Sequence, residues 1–253
     1  MGQYALCTTQ TGLQNLLKLH NKYKSYRKGV RNIKKIFIVL LALISSTIIF
    51  PSVALATSGE AKIRVLHASP DAPAVDIYAN GNKVLENVPF GTLSGYLSVP
   101  KGEYRIQIRP AGKQTPIVID EEVHVGGHKF YTLAASGKLS NIKLLTFLDK
   151  DRARESGQPR IRVIHLSPNA PSVDIGVVGQ KPFIRDLAYQ ERSSYKRLPV
   201  GTFDIQVRIA GTDTTALTIP NVTVANGLSA TVYAIGLVGG SPSLSTVIGI
   251  DGQ

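Results

Sequence analysis

The feature that most constrains this chain is that its second half repeats its first. Residues 64–77 read RVLHASPDAPAVDI and residues 162–175 read RVIHLSPNAPSVDI, with ten of fourteen positions identical at an offset of 98. Residues 100–109, PKGEYRIQIR, align with 199–208, PVGTFDIQVR, at an offset of 99, and Gly127 aligns with Gly227 at 100. Single-residue insertions between matched blocks are what loops tolerate. A period near 100 residues is too long for a solenoid unit and fits a duplicated domain. The repeat therefore divides residues 60–149, copy 1, from 159–253, copy 2. The charged segment 150–158, KDRARESGQ, joins them.

Each copy reads as short strands. Tyr104, Ile106 and Ile108 alternate with Arg105, Gln107 and Arg109, and Phe203, Ile205 and Val207 repeat the pattern. That is period two with one face buried. Further strand candidates in copy 1 are 62–66, 75–78, 97–99, 116–119, 122–125, 129–134 and 142–147. Asn80-Gly81, Lys101-Gly102 and Gly126-Gly127 are turn dipeptides. No helical periodicity of useful length follows residue 57. The expected fold is all-β: two tandem β-sandwich domains of immunoglobulin-like or transthyretin-like type, with seven or eight strands each.

The net charge of +12 suggests nucleic acid until its position is considered. Residues 1–56 hold eight of the 29 Lys and Arg and no Asp or Glu, which leaves 21 basic against 17 acidic residues, or +4, for the rest. A strong basic footprint on the folded part is not expected, and no nucleic-acid partner is assigned. The leader itself reads as an address. Residues 36–50, IFIVLLALISSTIIF, carry no charge, follow Lys34 and Lys35, and precede Ala54-Leu55-Ala56, the small-residue pattern of signal cleavage. The expectation is a bacterial protein secreted or displayed at the cell surface after cleavage near Ala56, meeting the membrane only through the leader. The alternative is an uncleaved N-terminal anchor. Cys7 is the single cysteine and lies in the leader, so the folded part can form no disulfide and hold no iron–sulfur cluster.

The segment R-V-x-H-x-S-P-x-A-P-x-V-D-I, followed by P-x-G-x-aromatic-x-I-x-V/I-R, resembles the prokaryotic domain-of-unknown-function family 4397, once per copy. The resemblance implies exported, tandem β-sandwich proteins of the cell envelope. It brings no catalytic residues with it.

The repeated motif places His67, Ser69, Asp71 and Asp76 near one another, with His165, Ser167, Asn169 and Asp174 as counterparts. A nucleophilic triad needs these residue types, but Pro70 turns the chain after Ser69 and no G-x-S-x-G elbow exists. The better reading is structural: Ser, Asx and His side chains satisfying loop backbone groups. Asn169 at the place of Asp71 keeps an Asx role and drops the charge. A metal would take His67 with Asp76 or His165 with Asp174, and His124 and His128 add to copy 1 alone. Zinc wants three or four ligands. No metal or other cofactor is assigned.

The stretch Glu191–Arg197 is a basic loop in which Arg192, Tyr195, Lys196 and Arg197 are candidates for surface binding. The reading is thus an exported, non-enzymatic binding or structural module whose partner is a cell-wall polymer or an envelope or matrix protein. Two alternatives stay open: a metal-dependent or hydrolytic envelope enzyme using the His/Asp pairs, and a membrane-tethered sensor or assembly factor.

Overall fold

The computed structural model describes residues 59–150 and 157–252. The leader, with the cleavage residues Ala54 and Ala56, and most of the joining segment lie outside the described residues. In copy 1 the strands are β1 (Glu60–Ala68), β2 (Val75–Ala79), β3 (Asn82–Val88), β4 (Leu97–Pro100), β5 (Gly102–Pro110), β6 (Ile119–Val125), β7 (Phe130–Ser136) and β8 (Lys143–Asp149). In copy 2 they are β9 (Arg160–His165), β10 (Val173–Val177), β11 (Ile184–Leu187), β12 (Lys196–Arg197), β13 (Gly201–Ile209), β14 (Thr215–Val224), β15 (Ser229–Ile235) and β16 (Ser245–Ile250). Among the described residues no helix is long and apolar enough to cross a membrane.

Each copy is a sandwich of two four-stranded sheets. Copy 1 has the orders β4-β1-β7-β8 and β3-β2-β5-β6; copy 2 has β12-β9-β15-β16 and β11-β10-β13-β14. The two orders correspond strand for strand. Pairing is antiparallel except between β1 and β7 and between β9 and β15. The β2–β3 connection turns at Asn80 and Gly81, with φ of 49° and 81°. Positive φ at both central residues is the geometry of a tight hairpin matched to strand twist. β3 itself is absent from the strand candidates above. Its sequence, NKVLENV, is mostly exposed and its pairing with β2 is interrupted by register shifts, so no period-two face is visible. The 116–119 candidate shrinks to its last residue, since the strand begins at Ile119.

The central strands are buried on both faces. In β1, Ile63 and Val65 point into the core of copy 1, with Ile77, Ile108 and Leu133. Leu66 and Ala68 point the other way and join Ala134 and Phe147 in one cluster with Ile164, Leu166, Tyr233 and Ile235 of copy 2. The β4-β1-β7-β8 sheet of copy 1 thus packs face to face on the β12-β9-β15-β16 sheet of copy 2. This is why β1 reads as a near-continuous apolar run instead of a clean alternation.

Candidate functional site

The motif residues come first. His67 ends β1 and His165 ends β9; both are buried. His67 Nε2 lies 3.0 Å from the Pro73 carbonyl oxygen and Nδ1 accepts from the Ser69 N–H at 3.3 Å. In copy 2, His165 Nε2 meets the Pro171 oxygen at 3.1 Å and Nδ1 accepts from the Ser167 N–H at 3.3 Å. The neutral ring protonated at Nε2 satisfies both contacts, so each imidazole ties down the turn that follows its strand. Burial lowers the pKa of both rings, against the opposing pull of the proline carbonyls. Phe90 and Tyr189 close the rings edge-on at 6.3 and 6.2 Å.

Asp76 is buried. Its Oδ1 accepts from the Asn87 N–H at 2.9 Å and its Oδ2 from the Gly112 N–H at 3.1 Å and from Lys83 Nζ at 2.8 Å. The Lys83 bond first, then these N–H groups, hold the carboxyl below its ordinary pKa. Asp174 repeats the cradle with Asp186 N–H at 2.8 Å and Gly211 N–H at 3.4 Å. Asn87 and Asp186 have φ of 50° and 49°, so each aspartate secures a left-handed residue in the neighbouring edge strand. Asp71 Oδ1 accepts from the Leu139 N–H at 2.7 Å. Asn169 does the same for Val238 and also donates to its carbonyl, both at 2.9 Å. Ser167 Oγ donates to the Gly236 oxygen at 2.7 Å, whereas the buried Ser69 Oγ has no partner.

These side chains are therefore spent on backbone groups. His67 and Asp76 serve different turns, and so do His165 and Asp174. Among the described residues no group of three or more His, Cys, Asp or Glu could hold a metal ion. His124 is 72% exposed and stands 3.9 Å from Glu103 on the surface.

A second constellation was not among the sequence candidates. Arg64 and Arg162 are among the most buried side chains, and each reaches across to the other copy. Arg64 Nη2 donates to Asp251 Oδ1 at 2.5 Å and Nη1 to the Ile250 carbonyl at 2.8 Å. Arg162 Nη2 donates to Asp149 Oδ1 and Nη1 to the Leu148 carbonyl at 2.8 Å. Thr132 and Tyr96 donate to Asp149 Oδ2 at 2.7 and 2.6 Å, and Thr231 and Tyr195 to Asp251 Oδ2 at 2.7 and 2.8 Å. The guanidinium groups lie over the Tyr96 and Tyr195 rings at 4.6 and 4.9 Å. Burial pushes the Asp251 carboxyl up, and the nearby Asp149 pushes it further. Two charge pairs, exchanged between copies and fully hydrogen-bonded, weld one sandwich to the other.

The basic loop is divided by this weld. Tyr195 turns inward to Asp251 and is no surface ligand group. Arg192 and Lys196 instead line an open groove of about 460 Å³ between the edge strands β11 and β12 of copy 2, with Arg185, Asp186, Glu191 and Phe183. Arg197 lies outside that lining. Among the described residues Arg185, Arg192 and Lys196 carry no ion pair. Glu191 Oε2 is engaged by the Ala188 N–H at 3.1 Å. Arg185 was not among the sequence candidates, because only the pairing of β11 beside the loop brings it there.

Residues 61–176 match the family model described as Domain of unknown function (DUF4397). Over these residues the chain is similar to that family. The match takes in the eight strands of copy 1 and runs through the repeated motif of copy 2, while the rest of copy 2 lies outside it. Among curated proteins no match is found. Two solved structures are similar. One is CBMbc (family CBM26) from Eubacterium rectale Amy13K in complex with maltoheptaose, at 12% identity and a TM-score of 0.22, covering 75% of this chain and 96% of that one. The other is a Bacteroides fragilis protein described as a cell adhesion protein, at 10% identity and a TM-score of 0.19, with the same coverage.

The repeated motif thus spends its His, Asx and, in copy 2, Ser side chains on turns. Its first residue, Arg64 or Arg162, and the Asp that ends or follows the last strand make the weld. The signal for that was available: an Arg inside an otherwise apolar strand, repeated at the same place in both copies. Its partners, 186 and 187 positions away for Arg64, were not.

Proposed function

We propose that this chain is an exported, non-enzymatic surface module that binds an anionic polymer of the cell envelope through the groove between β11 and β12. The observation that carries this reading is the row of Arg185, Arg192 and Lys196, three cations without an ion pair on one edge of the sandwich. Long side chains with free charged heads on a rigid edge suit repeated anionic groups, and attraction of this kind weakens as salt screens it. The leader of basic, apolar and small-residue segments supports export, with cleavage after Ala56.

The test is co-sedimentation of the protein from residue 57 onward with isolated cell walls across a salt series. The expected result is binding that falls steeply with salt and is lost when Arg185, Arg192 and Lys196 are all replaced by Ala, while Arg197→Ala binds as the parent does. A protein that stays in the supernatant at every salt concentration, or a triple variant that binds normally, removes the reading. N-terminal sequencing of the cellular protein tests export separately, with Thr57 expected as the first residue.

A further inference from the structure

A second cavity lies inside copy 2 and shares no residue with the groove. About 210 Å³ of space, open to solvent on one side, lies between the motif loop at Ala170 and Pro171, the strands β10 and β13, and the start of β14. Val173, Val207, Ile209, Leu217 and Leu244 form most of its wall. A separate, narrower void of about 40 Å³ between the two sheets shares Val173, Val207 and Ala234 with its wall.

The repeat explains the space. Ile106 and Ile108 pair with Glu121 and Ile119 in copy 1, as Ile205 and Val207 pair with Ile219 and Leu217 in copy 2. The residue before Ile119 is Val118 and the one before Leu217 is Ala216, which sits at a register shift of β14 against β13. Ala135 pairs with Leu144 as Ala234 pairs with Thr246, which sets Leu144 against Thr246. Val118 and Leu144 pack into the core of copy 1. Their counterparts are smaller, and Ala216 lines the cavity while Thr246 lines the narrower void. Copy 2 is thus the same sandwich with two core positions cut back. Close-packed interiors do not keep such a space without cost.

Polar groups on the wall are already engaged. His165 has both ring nitrogens on backbone groups, and Thr215 Oγ1 accepts from Gln206 Nε2 at 2.5 Å. A water needs two to four polar partners, and an apolar cavity of about 150 Å³ stays dry and takes up benzene. The present one is larger. Its rim carries Val238, 41% exposed, on a segment held by both side-chain atoms of Asn169.

We propose that the interior of copy 2 is a binding site for a small uncharged apolar group, an alkyl or alkylbenzene moiety, entering beside Val238. The larger cavity shares no lining residue with the basic groove.

The experiment is a titration of the full chain with toluene, followed through the methyl resonances of Val207, Leu217 and Leu244. The expected result is a saturable shift confined to the cavity wall. Ala216→Val, which restores the residue of copy 1, weakens toluene binding at least tenfold and raises the melting temperature of the free protein. Thr246→Leu does the same from the narrower void and serves if the first variant fails to fold. Absence of a saturable shift in the parent protein overturns the proposal, as does unchanged toluene affinity in a folded filled variant.

Discussion

Copy 1 and copy 2 share strand order, hairpins and the buried His and Asp cradles, yet they present opposite chemistry on the same edge. The positions of Arg185, Arg192 and Lys196 in copy 2 are those of Glu86, Leu93 and Leu97 in copy 1. Leu66 bridges to Leu93 as Ile164 bridges to Arg192. The reason lies partly in the weld. A Cβ placed on Gly249 would meet Leu93 Cδ2 at 2.6 Å, so Leu93 covers the gap that this glycine leaves. The residue of copy 1 at the place of Gly249 is Phe147, whose own ring fills the space. With that space taken, Arg192 points to solvent. The weld trades large and small residues across its two halves, Ala134 with Phe147 against Tyr233 with Gly249. The trade leaves one edge apolar and frees the other to carry charge.

The comparison can be broken at the weld, where the largest effects are expected. Arg64→Ala leaves Asp251 buried and unpaired, a loss of about 3–5 kcal/mol by calorimetry. Arg162→Ala should cost less, since Asp149 keeps Arg64 Nη2 at 3.4 Å as a second cation. A loss under about 1 kcal/mol for either would show that the two halves are not tied by charge. Gly249→Ala drives a methyl toward Arg64 Nη1, 2.5 Å from the ideal Cβ. Because that guanidinium is fixed by hydrogen bonds, chemical denaturation should register about 1–3 kcal/mol of overpacking.

Smaller effects sharpen the difference between the copies. Ser167→Ala strips the Gly236 carbonyl of a buried donor and should cost about 1–2 kcal/mol, whereas Ser69→Ala removes a hydroxyl with no partner and should be near neutral. Equal costs would mean that the two motifs are balanced alike. Acidification tests what they have in common. His67 and His165 have lowered pKa values. Their folded forms resist the proton that the unfolded chain takes up below about 6.5, so stability is present above that value and declines as pH falls toward the folded values. Melting temperatures between pH 7 and 5 should fall, and the slope should flatten in a His67→Gln/His165→Gln variant. A slope untouched by that variant assigns the acid sensitivity to other groups.

The sandwich architecture was legible because period-two alternation in 104–108 and 203–207 and the turn dipeptides are local signals. β3 was not, since a strand exposed on most positions and bulged against its neighbour has no repeating face. At the motif, the sequence carried the residue types but not their targets. The bond from His67 to the Pro73 carbonyl depends on how the turn folds back. The basic loop was half legible: Arg192 and Lys196 reach the groove, but Tyr195 answers to Asp251, 56 positions away. Alternation placed Arg64 on a face, and nothing local said that the face was covered by a second copy of the same sheet.

The bond from Arg64 to Asp251 spans 187 positions. Closing so wide a separation is slow and gains nothing until both sandwiches stand. The weld therefore belongs to the end of folding. Contacts made after the rate-limiting step act on the rate of opening, not on the rate of closing. By this route a chain without a single disulfide in its folded part acquires endurance: the weld sets how long the native state lasts once reached.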